Sequence, residues 1–509
     1  MPYIKEIIKY LEGGNNPFYY YIFTFFSAIT LRNFVEFMIV SNAHAIQWHH
    51  PVHFSLFYIS LCLSIIILLY LITREKVERI ARVVAASFII TPIVPAIDLL
   101  LQVVWDYEIK YQYMIPEKTE SILKNYLLFF GNHAGATPGI RFEIFIAMIC
   151  CSFYVFYKTS SLLKSLLGAI LFYSLVFWGY FAILFSIQGI ERLAGLLYDT
   201  SPKTMIDTYL FLAIHAFLLV LYFYNRAYMT AVVRDIRLTR ILHYEMMVIF
   251  GFALGYPDSG RFFMSLSNIM EIYFVVLSVV FAFIFSAITN NIADVTIDKI
   301  SNPDRPSVTG VIPWETYNII GFTALFFSIV YSLTAGHMIL FLIICFIGVY
   351  FLYSMPPLRM KRIPFFSKGF IALNSLIMLL AGYSFHGKEI TSFPPTVAVF
   401  VLICFTACSN LIDIKDYEGD KAAGIKTLPV ILGLKQSKMI IGIFFAVGYA
   451  SFPYIMKMPD LYAPSIIFGI ALLLAINIQP YKDKIVFSLY LLSSISLLGY
   501  LIAKNINNE

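Results

Sequence analysis

Long apolar stretches recur along almost the whole chain. About fifteen of them reach roughly 20 residues, the length at which an α-helix crosses a bilayer. Six precede residue 230, at 18–40, 53–73, 83–105, 141–157, 165–187 and 207–225. Nine follow, at 241–256, 266–291, 314–334, 337–354, 366–385, 394–412, 437–456, 462–479 and 485–503. This pattern predicts an all-α polytopic membrane protein.

The polar, basic stretch from Arg226 to Arg240 separates the two groups of spans. We therefore predict an N-terminal membrane domain, 1–235, with about six spans and no assigned function. A C-terminal domain, 236–509, follows with about nine spans. Its weakest span is 241–256, which is short and carries Glu245. No sequence repeat relates the two halves.

Composition supports this class. The chain is 60% hydrophobic and 13% charged, whereas soluble proteins carry about 25% charged residues. The net charge of +6 is concentrated in short loops, so it indicates membrane orientation rather than nucleic-acid binding. All six cysteines lie inside apolar stretches and show neither a disulfide framework nor a zinc spacing.

Basic residues are distributed unequally between the two ends of the later spans. Seventeen lie at one end, which also holds two acidic clusters described below, and four lie at the other: Arg261, Lys388, Lys457 and Lys504. Cytoplasmic loops are enriched in Lys and Arg. We predict an integral protein of a prokaryotic plasma membrane, with the acidic clusters and the N-terminus in the cytoplasm and the C-terminus on the opposite side.

Two acidic clusters follow apolar spans. In the first, Asn290, Asp294 and Asp298 are spaced four apart; in the second, Asp413, Asp416 and Asp420 are three and four apart. On a helix each set shares one face. Carboxylates at membrane depth are costly and usually mark a polar cavity or a functional site. Oxygen ligands without His or Cys suit Mg²⁺ bound jointly with a phosphate-bearing substrate.

Basic residues accompany these carboxylates on the same side. Arg305 follows the first cluster, Lys421 follows the second, and the loop YSMPPLRMKR lies between them in sequence. Two Mg²⁺ ions and these cations would neutralise a departing pyrophosphate and promote C–O ionisation. Aromatic walls would then shield the allylic carbocation from water.

These residues resemble a known family. From about 240 to 505 the chain resembles the UbiA-type intramembrane prenyltransferases. Asn290, Asp294 and Asp298 match their NxxxDxxxD motif, and Asp416 and Asp420 match their DxxxD motif. The YSMPPLRMKR loop is of family type, and the motifs follow the second and sixth of nine spans.

The resemblance implies a nine-helix prenyltransferase bundle that uses Mg²⁺. It would transfer an isoprenyl chain from a prenyl diphosphate to an acceptor small molecule or lipid. Catalysis and metal binding would fall to Asp294, Asp298, Asp416 and Asp420. The substrate-binding residues would be Asn290, Arg305, Tyr353, Lys361, Asp413 and Lys421. Two features depart from the family pattern: Asn291 stands where many members have Asp, and the first 235 residues have no counterpart.

Alternatives stay open at this point. The acceptor is an aromatic quinone precursor, a chlorin or a lipid alcohol. A different class of protein, a transporter or flippase, would bind a phosphorylated isoprenoid lipid without cleaving it. Related halves are expected of a transporter, and the sequence shows none.

The first half has polar features of its own. Four histidines, His44, His49, His50 and His53, lie in one outer loop and are candidate metal ligands. No carboxylate at the spacing of metal ligands on a helix accompanies them. Arg32 and Glu36, four apart within a span, are predicted to form an ion pair. Asp98 is predicted either to face a cavity or to bond a neighbouring helix.

Overall fold

The structure is a computed structural model. It describes residues 2–14, 16–39, 49–106, 119–131, 133, 135–194, 202–256, 266–363, 366–385, 387–422 and 424–507. Within these ranges every regular element is helical. Fourteen described helices are long and apolar enough to cross a membrane. The prediction of an all-α integral membrane protein is confirmed.

The helices of the first part are α1 (Pro2–Glu12), α2 (Phe18–Ile39), α3 (His49–Thr73), α4 (Val77–Ser87), α5 (Ile93–Trp105), α6 (Thr119–Leu127), α7 (Pro138–Thr159), α8 (Leu162–Val176), α9 (Ile183–Ala194), α10 (Pro202–Tyr224) and α11 (Arg226–Asp235). A π-helical turn, Phe177–Phe181, follows α8.

The helices of the second part are α12 (Leu238–Gly255), α13 (Leu266–Ala293), α14 (Val295–Ser301), α15 (Pro306–Thr309), α16 (Trp314–Ala335), α17 (His337–Ser354), α18 (Phe366–Ser384), α19 (Pro395–Cys408), α20 (Leu411–Ala422), α21 (Leu428–Leu432), α22 (Leu434–Ile455), α23 (Tyr462–Asn477) and α24 (Asp483–Asn507).

The chain divides into two compact units. The N-terminal unit comprises Met1–Met229 with Phe263–Met270, and the C-terminal unit comprises Thr230–Phe262 with Glu271–Glu509. Nine of the fourteen candidate spans start after residue 237, as the sequence predicted. Five start earlier, and the predicted span 18–40 is the helix α2, which is not among the fourteen. The functional boundary at 235/236 stays a prediction.

Polar contacts tie the helices of the N-terminal unit together. Asp98 on α5 accepts hydrogen bonds from Thr137 Oγ1 (2.6 Å) and from the backbone N–H of Gly139 (2.8 Å). Both donors lie at the start of α7, so this carboxylate bonds a neighbouring helix. Arg32 and Glu36 form the expected ion pair within α2. Of the four histidines predicted to lie in one outer loop, His44 is outside the described residues, and His49, His50 and His53 lie at the start of α3 rather than in a loop.

Two helices of the C-terminal unit touch through their backbones. A Cβ on Gly251 of α12 would lie 1.8 Å from the carbonyl oxygen of Leu379, and one on Gly382 of α18 would lie 1.8 Å from that of Val248. Only glycine fits at both positions, and small residues allow close helix packing in membranes. This contact fixes the polar first turns of α12 beside α18.

Candidate active site in the C-terminal unit

The first acidic cluster lies at the junction between α13 and α14. Asp294 stands between the two helices. Its N–H donates to the carbonyl oxygen of Asn290 (3.0 Å), and the N–H of Asp298 donates to that of Asp294 (2.8 Å). Because this four-residue bonding continues through the junction, the three side chains keep the shared face that their spacing predicted.

Cations neutralise both carboxylates of this cluster. Asp294 forms ion pairs with Arg359, at 2.7 Å, and with Lys361. Lys361 Nζ also donates to Asn290 Oδ1 (3.1 Å). Asp298 forms an ion pair with Arg305. The basic loop between the acidic clusters in sequence therefore lies against the first cluster in space.

Asn291, which stands where many family members have Asp, is the centre of a polar network. Its Oδ1 accepts from Arg305 Nη1 (3.0 Å) and from Arg237 Nη2 (3.4 Å). Its Nδ2 donates to Asp235 Oδ2 and to the hydroxyl of Tyr317 (3.1 Å). An amide provides an acceptor and two donors. Asn291 therefore connects Arg237 and Arg305 to the carboxylate of Asp235.

The second acidic cluster lies on α20. Asp413 is buried and forms an ion pair with Lys368 of α18, at 2.5 Å. Asp416 is exposed and Asp420 is half-buried. Neither has an ion-pair partner among the described residues. The two clusters thus differ: both carboxylates of the first are paired with cations of the protein, whereas Asp416 and Asp420 have no ion-pair partner in the described part of the chain.

Both clusters line one cavity, which we call the C-terminal cavity, of about 350 Å³. Nine of the ten predicted site residues line it: Asn290, Asp294, Asp298, Arg305, Tyr353, Lys361, Asp413, Asp416 and Asp420. The tenth, Lys421, does not; it is exposed, with its ammonium 5.7 Å from the centre of the Tyr417 ring. Neighbouring residues on a helix point about 100° apart, so Lys421 diverges from Asp420.

Other residues of this cavity come from segments that the sequence reasoning did not connect with it. Arg237, Arg240 and Lys368 bring further positive charge. His243 of α12 also lines the cavity, with ring nitrogens 2.7 Å from Tyr490 Oη and 2.8 Å from Ser375 Oγ. The bias of basic residues toward this side of the membrane was the one signal for the three cations; nothing in the sequence indicated His243.

An apolar cavity of about 130 Å³ adjoins the polar one. Phe405, Cys408, Phe445 and Tyr490 line both cavities. Its remaining walls are almost wholly apolar, and aromatic rings lie at Phe250, Phe400 and Phe452. The site therefore joins a charged compartment to an apolar one.

Two cations outside the spans have perturbed acidities. Burial lowers the pKa of Lys361, although the adjacent Asp294 opposes that shift. Burial also lowers the pKa of Arg237 to about 10, and the neighbouring Arg240 contributes in the same direction. In both cases desolvation disfavours the charged form. An anion bound in this cavity would restore that form.

The donor set fits Mg²⁺ in one respect. Asp294, Asp298, Asp416 and Asp420 present only carboxylate oxygens, the ligands that hard cations prefer. No group of three or more His, Cys, Asp or Glu side chains in the described part of the chain is close enough to hold a metal alone. Phosphate oxygens of a substrate would have to complete the coordination.

Comparison with known proteins agrees with these motifs. Residues 246–495 match the UbiA prenyltransferase family. Digeranylgeranylglyceryl phosphate synthase from Pyrococcus horikoshii is 29% identical over 156 residues, which is 30% of this chain and 54% of that protein. Naringenin 8-dimethylallyltransferase 2 from Sophora flavescens is 28% identical over 173 residues, 32% of this chain and 42% of that protein.

Among solved structures, a UbiA homologue from Archaeoglobus fulgidus bound to DMAPP and Mg²⁺ is 20% identical, with a TM-score of 0.41. The match covers 53% of this chain and 99% of that one. The chain spans about half the length of the curated relatives that it matches. Residues 246–495 belong to the UbiA prenyltransferase family.

Proposed function

We propose that the C-terminal unit transfers an isoprenyl chain from a prenyl diphosphate to an acceptor within the membrane. One observation carries this proposal: two acidic clusters and five basic residues line a single cavity that adjoins an apolar one. A prenyl diphosphate has the same two parts, a strongly anionic head and an apolar chain. Membership of residues 246–495 in the UbiA family supports this proposal.

Basic side chains would hold the diphosphate. Arg237, Arg240, Arg305, Lys361 and Lys368 line the cavity. Charge-assisted hydrogen bonds from such groups are about twice as strong as neutral ones. They would also stabilise the negative charge that develops on the leaving oxygen as the C–O bond breaks. This arrangement lowers the barrier because the cations gain more from the leaving group than from the intact substrate.

Asp294, Asp298, Asp416 and Asp420 would hold Mg²⁺, which supplies further positive charge beside the diphosphate when it is bound. In the described structure the first two carboxylates are engaged with Arg305, Arg359 and Lys361. A diphosphate would compete for these same cations. We therefore propose that substrate binding exchanges partners, with cations turning to the diphosphate and carboxylates becoming available to the metal.

The aromatic wall would protect the reacting carbon. Tyr244, Tyr350, Tyr353, Phe370 and Phe487 line the cavity beside the polar groups. The faces of aromatic rings attract cations, and closing the site around them excludes water. We propose that Tyr353 belongs to this wall and binds the substrate there.

The acceptor belongs to one of several chemical classes. By their names, one of the relatives above makes digeranylgeranylglyceryl phosphate and the other transfers a dimethylallyl group to naringenin, so different acceptors occur among similar proteins. An aromatic quinone precursor, a chlorin and a lipid alcohol remain the candidates.

The test is Mg²⁺-dependent pyrophosphate release by the purified full chain in lipid nanodiscs. Prenyl diphosphates of increasing chain length would be supplied with an aromatic, a chlorin and a glycerol-lipid acceptor, and products identified by mass spectrometry. We expect release and a prenylated product with one acceptor class. Saturable binding of the diphosphate without cleavage under every condition would favour the flippase alternative.

We also propose that the site opens to the cytoplasm, as the seventeen-to-four distribution of basic residues suggests. A single cysteine introduced as Lys426→Cys, in a chain without its native cysteines, would report the side. Impermeant thiol reagents should label it in inside-out vesicles and leave it unlabelled in intact cells. Labelling from the outside would reverse the orientation.

A further inference from the structure

The N-terminal unit encloses a cavity of its own, about 220 Å³ in volume, which we call the N-terminal cavity. Its walls come from α2, α3, α4, α7, α8 and α10. The family match begins at residue 246, so the family relationship explains none of it. Protein interiors are close-packed with few voids larger than a water molecule, so a space of this size invites a ligand.

The cavity is elongated. On α7 its lining runs from Ile140 to Tyr154, about 21 Å at the rise of an α-helix. Along α3 it runs from His53 to Leu69, about 24 Å. The two helices run in the same direction, because Lys158 near the end of α7 forms an ion pair with Glu75, just after the end of α3, at 2.8 Å.

Polar groups are concentrated at one end of this cavity. His53 near the start of α3 and Glu143 near the start of α7 line it there, with Arg32 of α2. Arg32 lies 5.3 Å from the centre of the Tyr58 ring. Toward the opposite end the lining is mostly apolar, with Leu61, Ile65, Leu69, Val83, Val84 and Ala147. A polar end joined to a long apolar tube is the shape of a single-chain amphiphile.

The carboxyl of Glu143 is the acceptor that this end of the cavity offers. Glu143 has no hydrogen bond or ion pair among the described residues. Arg32, which also lines the cavity, is paired with Glu36. Ionisable groups at membrane depth are costly and usually functional. A hydrogen-bond donor would satisfy Glu143, whereas an anionic head would bring a second acceptor group beside this carboxyl.

We propose that the N-terminal cavity binds a single-chain lipid whose head is a hydroxyl or an amine that donates a hydrogen bond to Glu143. The apolar chain of this lipid lies between α3 and α7. The proposal does not depend on the chemistry of the C-terminal cavity, because no residue is shared between the two linings.

The experiment uses four photoreactive probes of equal chain length, each with a diazirine at the chain terminus. Hexadecanol and hexadecylamine carry the proposed heads, and hexadecanoic acid and hexadecyl phosphate are their anionic counterparts. The full-length protein in zwitterionic nanodiscs is irradiated with each probe, and the labelled peptides are mapped by mass spectrometry. We expect the alcohol, the amine or both to label peptides of α3 and α7, and the anionic probes to label them at least about tenfold less.

Variants locate the binding. Ala147 lines the cavity, and Ile149, two residues further along α7, is 50% exposed. Ala147→Trp should fill the tube and abolish specific labelling, whereas Ile149→Trp should leave it unchanged. If Ala147→Trp does not give a monodisperse protein, Ala147→Leu takes its place. Glu143→Gln removes the charge but keeps an acceptor, so amine labelling should fall about tenfold and alcohol labelling less.

Each labelling pattern either supports the proposed site or overturns it. Labelling by alcohol alone or by amine alone identifies the head and supports the site. Equal labelling by all four probes, or stronger labelling by phosphate, overturns the proposed head chemistry. Labelling that persists in the cavity-filling variant at Ala147 shows that the probe lies elsewhere and overturns the site.

Discussion

The two cavities of this protein lie among similar apolar helices and differ in the few charged residues at their polar ends. The C-terminal cavity is lined by five cations and five aspartates. The N-terminal cavity has one guanidinium, paired with Glu36, and one carboxyl, Glu143, that has no hydrogen-bond or ion-pair partner in the described part of the chain. Because the bulk of each wall is apolar, we propose that these residues decide which head group each cavity accepts: a diphosphate with metal in the first and a hydrogen-bond donor in the second.

Pairing within the protein separates the cavities further. In the C-terminal cavity Asp294, Asp298 and Asp413 are matched by cations from other segments, so a change of partners is possible when an anion enters. In the N-terminal cavity Arg32 and Glu36 belong to the same helix, four residues apart. Such a pair is local, because both groups belong to one helix. An exchange of ionic partners is therefore what we propose for the C-terminal cavity, and the presentation of one acceptor is what we propose for the N-terminal cavity.

The largest loss of activity is expected when a charge is removed from the second acidic cluster of the C-terminal cavity. Asp416 has no ion pair among the described residues, so Asp416→Asn leaves every described ion pair in place. We expect pyrophosphate release to fall by about 100-fold or more, since a carboxylate that holds the metal would be lost. The measurement is initial rate at saturating prenyl diphosphate. Asp294→Asn should lose as much.

A matched control lies on the same helix. Glu418 is exposed on α20 and does not line the cavity. Glu418→Gln should retain most of the activity, with the same elution profile as the unaltered protein. A well-folded Asp416→Asn variant with near-normal rate would remove the second cluster from the proposed chemistry.

Substitution of two lysines tests which side chains bind the diphosphate. Lys361 lines the cavity beside Asn290 and Asp294, and Lys421, predicted from sequence to act similarly, points elsewhere. We expect Lys361→Ala to raise the KM for prenyl diphosphate about tenfold, the cost of one charge-assisted hydrogen bond. Lys421→Ala should raise it much less. Equal effects would show that the diphosphate extends to the exposed face of α20.

The domain boundary gives a smaller effect. Asp235, one residue before the predicted start of the C-terminal domain, accepts hydrogen bonds from Asn291 and from Tyr317, the latter at 3.2 Å. A chain of residues 236–509 lacks this acceptor. Asn291, which accepts from Arg237 and Arg305, then loses its own hydrogen bond to Asp235 and is held less firmly. We expect it to be about fivefold less active than a chain that starts at Arg226.

Co-expression with the first 225 residues is the control for insertion of the short span 241–256. If it restores activity to the two fragments equally, the missing factor is packing of that span. Indistinguishable activities of the two fragments without co-expression would mean that the Asp235 network does not position the site.

Local periodicity explains what the sequence could predict. Asn290, Asp294 and Asp298 share a face because backbone bonds link each to the next, and this depends on nearby residues alone. The Arg32–Glu36 pair was predictable for the same reason. The same geometry separates Lys421 from the other predicted site residues. It follows Asp420 in sequence, but one step along a helix turns its side chain away from the cavity, so its role in binding the diphosphate stays a prediction.

Long-range contacts explain what it could not. Lys368 reaches Asp413 from another helix, 45 residues away, and Arg359 reaches Asp294 across 65 residues. No spacing rule connects such positions, because each pair joins segments that are far apart in sequence and meet only in the folded chain. The sequence likewise could not show that Glu143 lacks a hydrogen bond among the described residues, since this depends on which side chains of other helices lie beside it.

The smallest effect concerns pH, and Lys361 is again the group to test. Burial lowers its pKa, so in the free protein it loses its proton at a lower pH than an ordinary lysine does. Binding of a diphosphate needs the charged form. The value of kcat/KM, which reports groups of the free enzyme, should therefore decline on the alkaline side as Lys361 deprotonates. A guanidinium holds its proton to higher pH than an amine does, so Lys361→Arg should move the alkaline limb to higher pH and cost about twofold near neutral pH through its different geometry. The measurement is kcat/KM for prenyl diphosphate from neutral to alkaline pH at constant free Mg²⁺. An unchanged alkaline limb in this variant would assign the titration to another group and remove Lys361 from the residues that read the charge of the diphosphate.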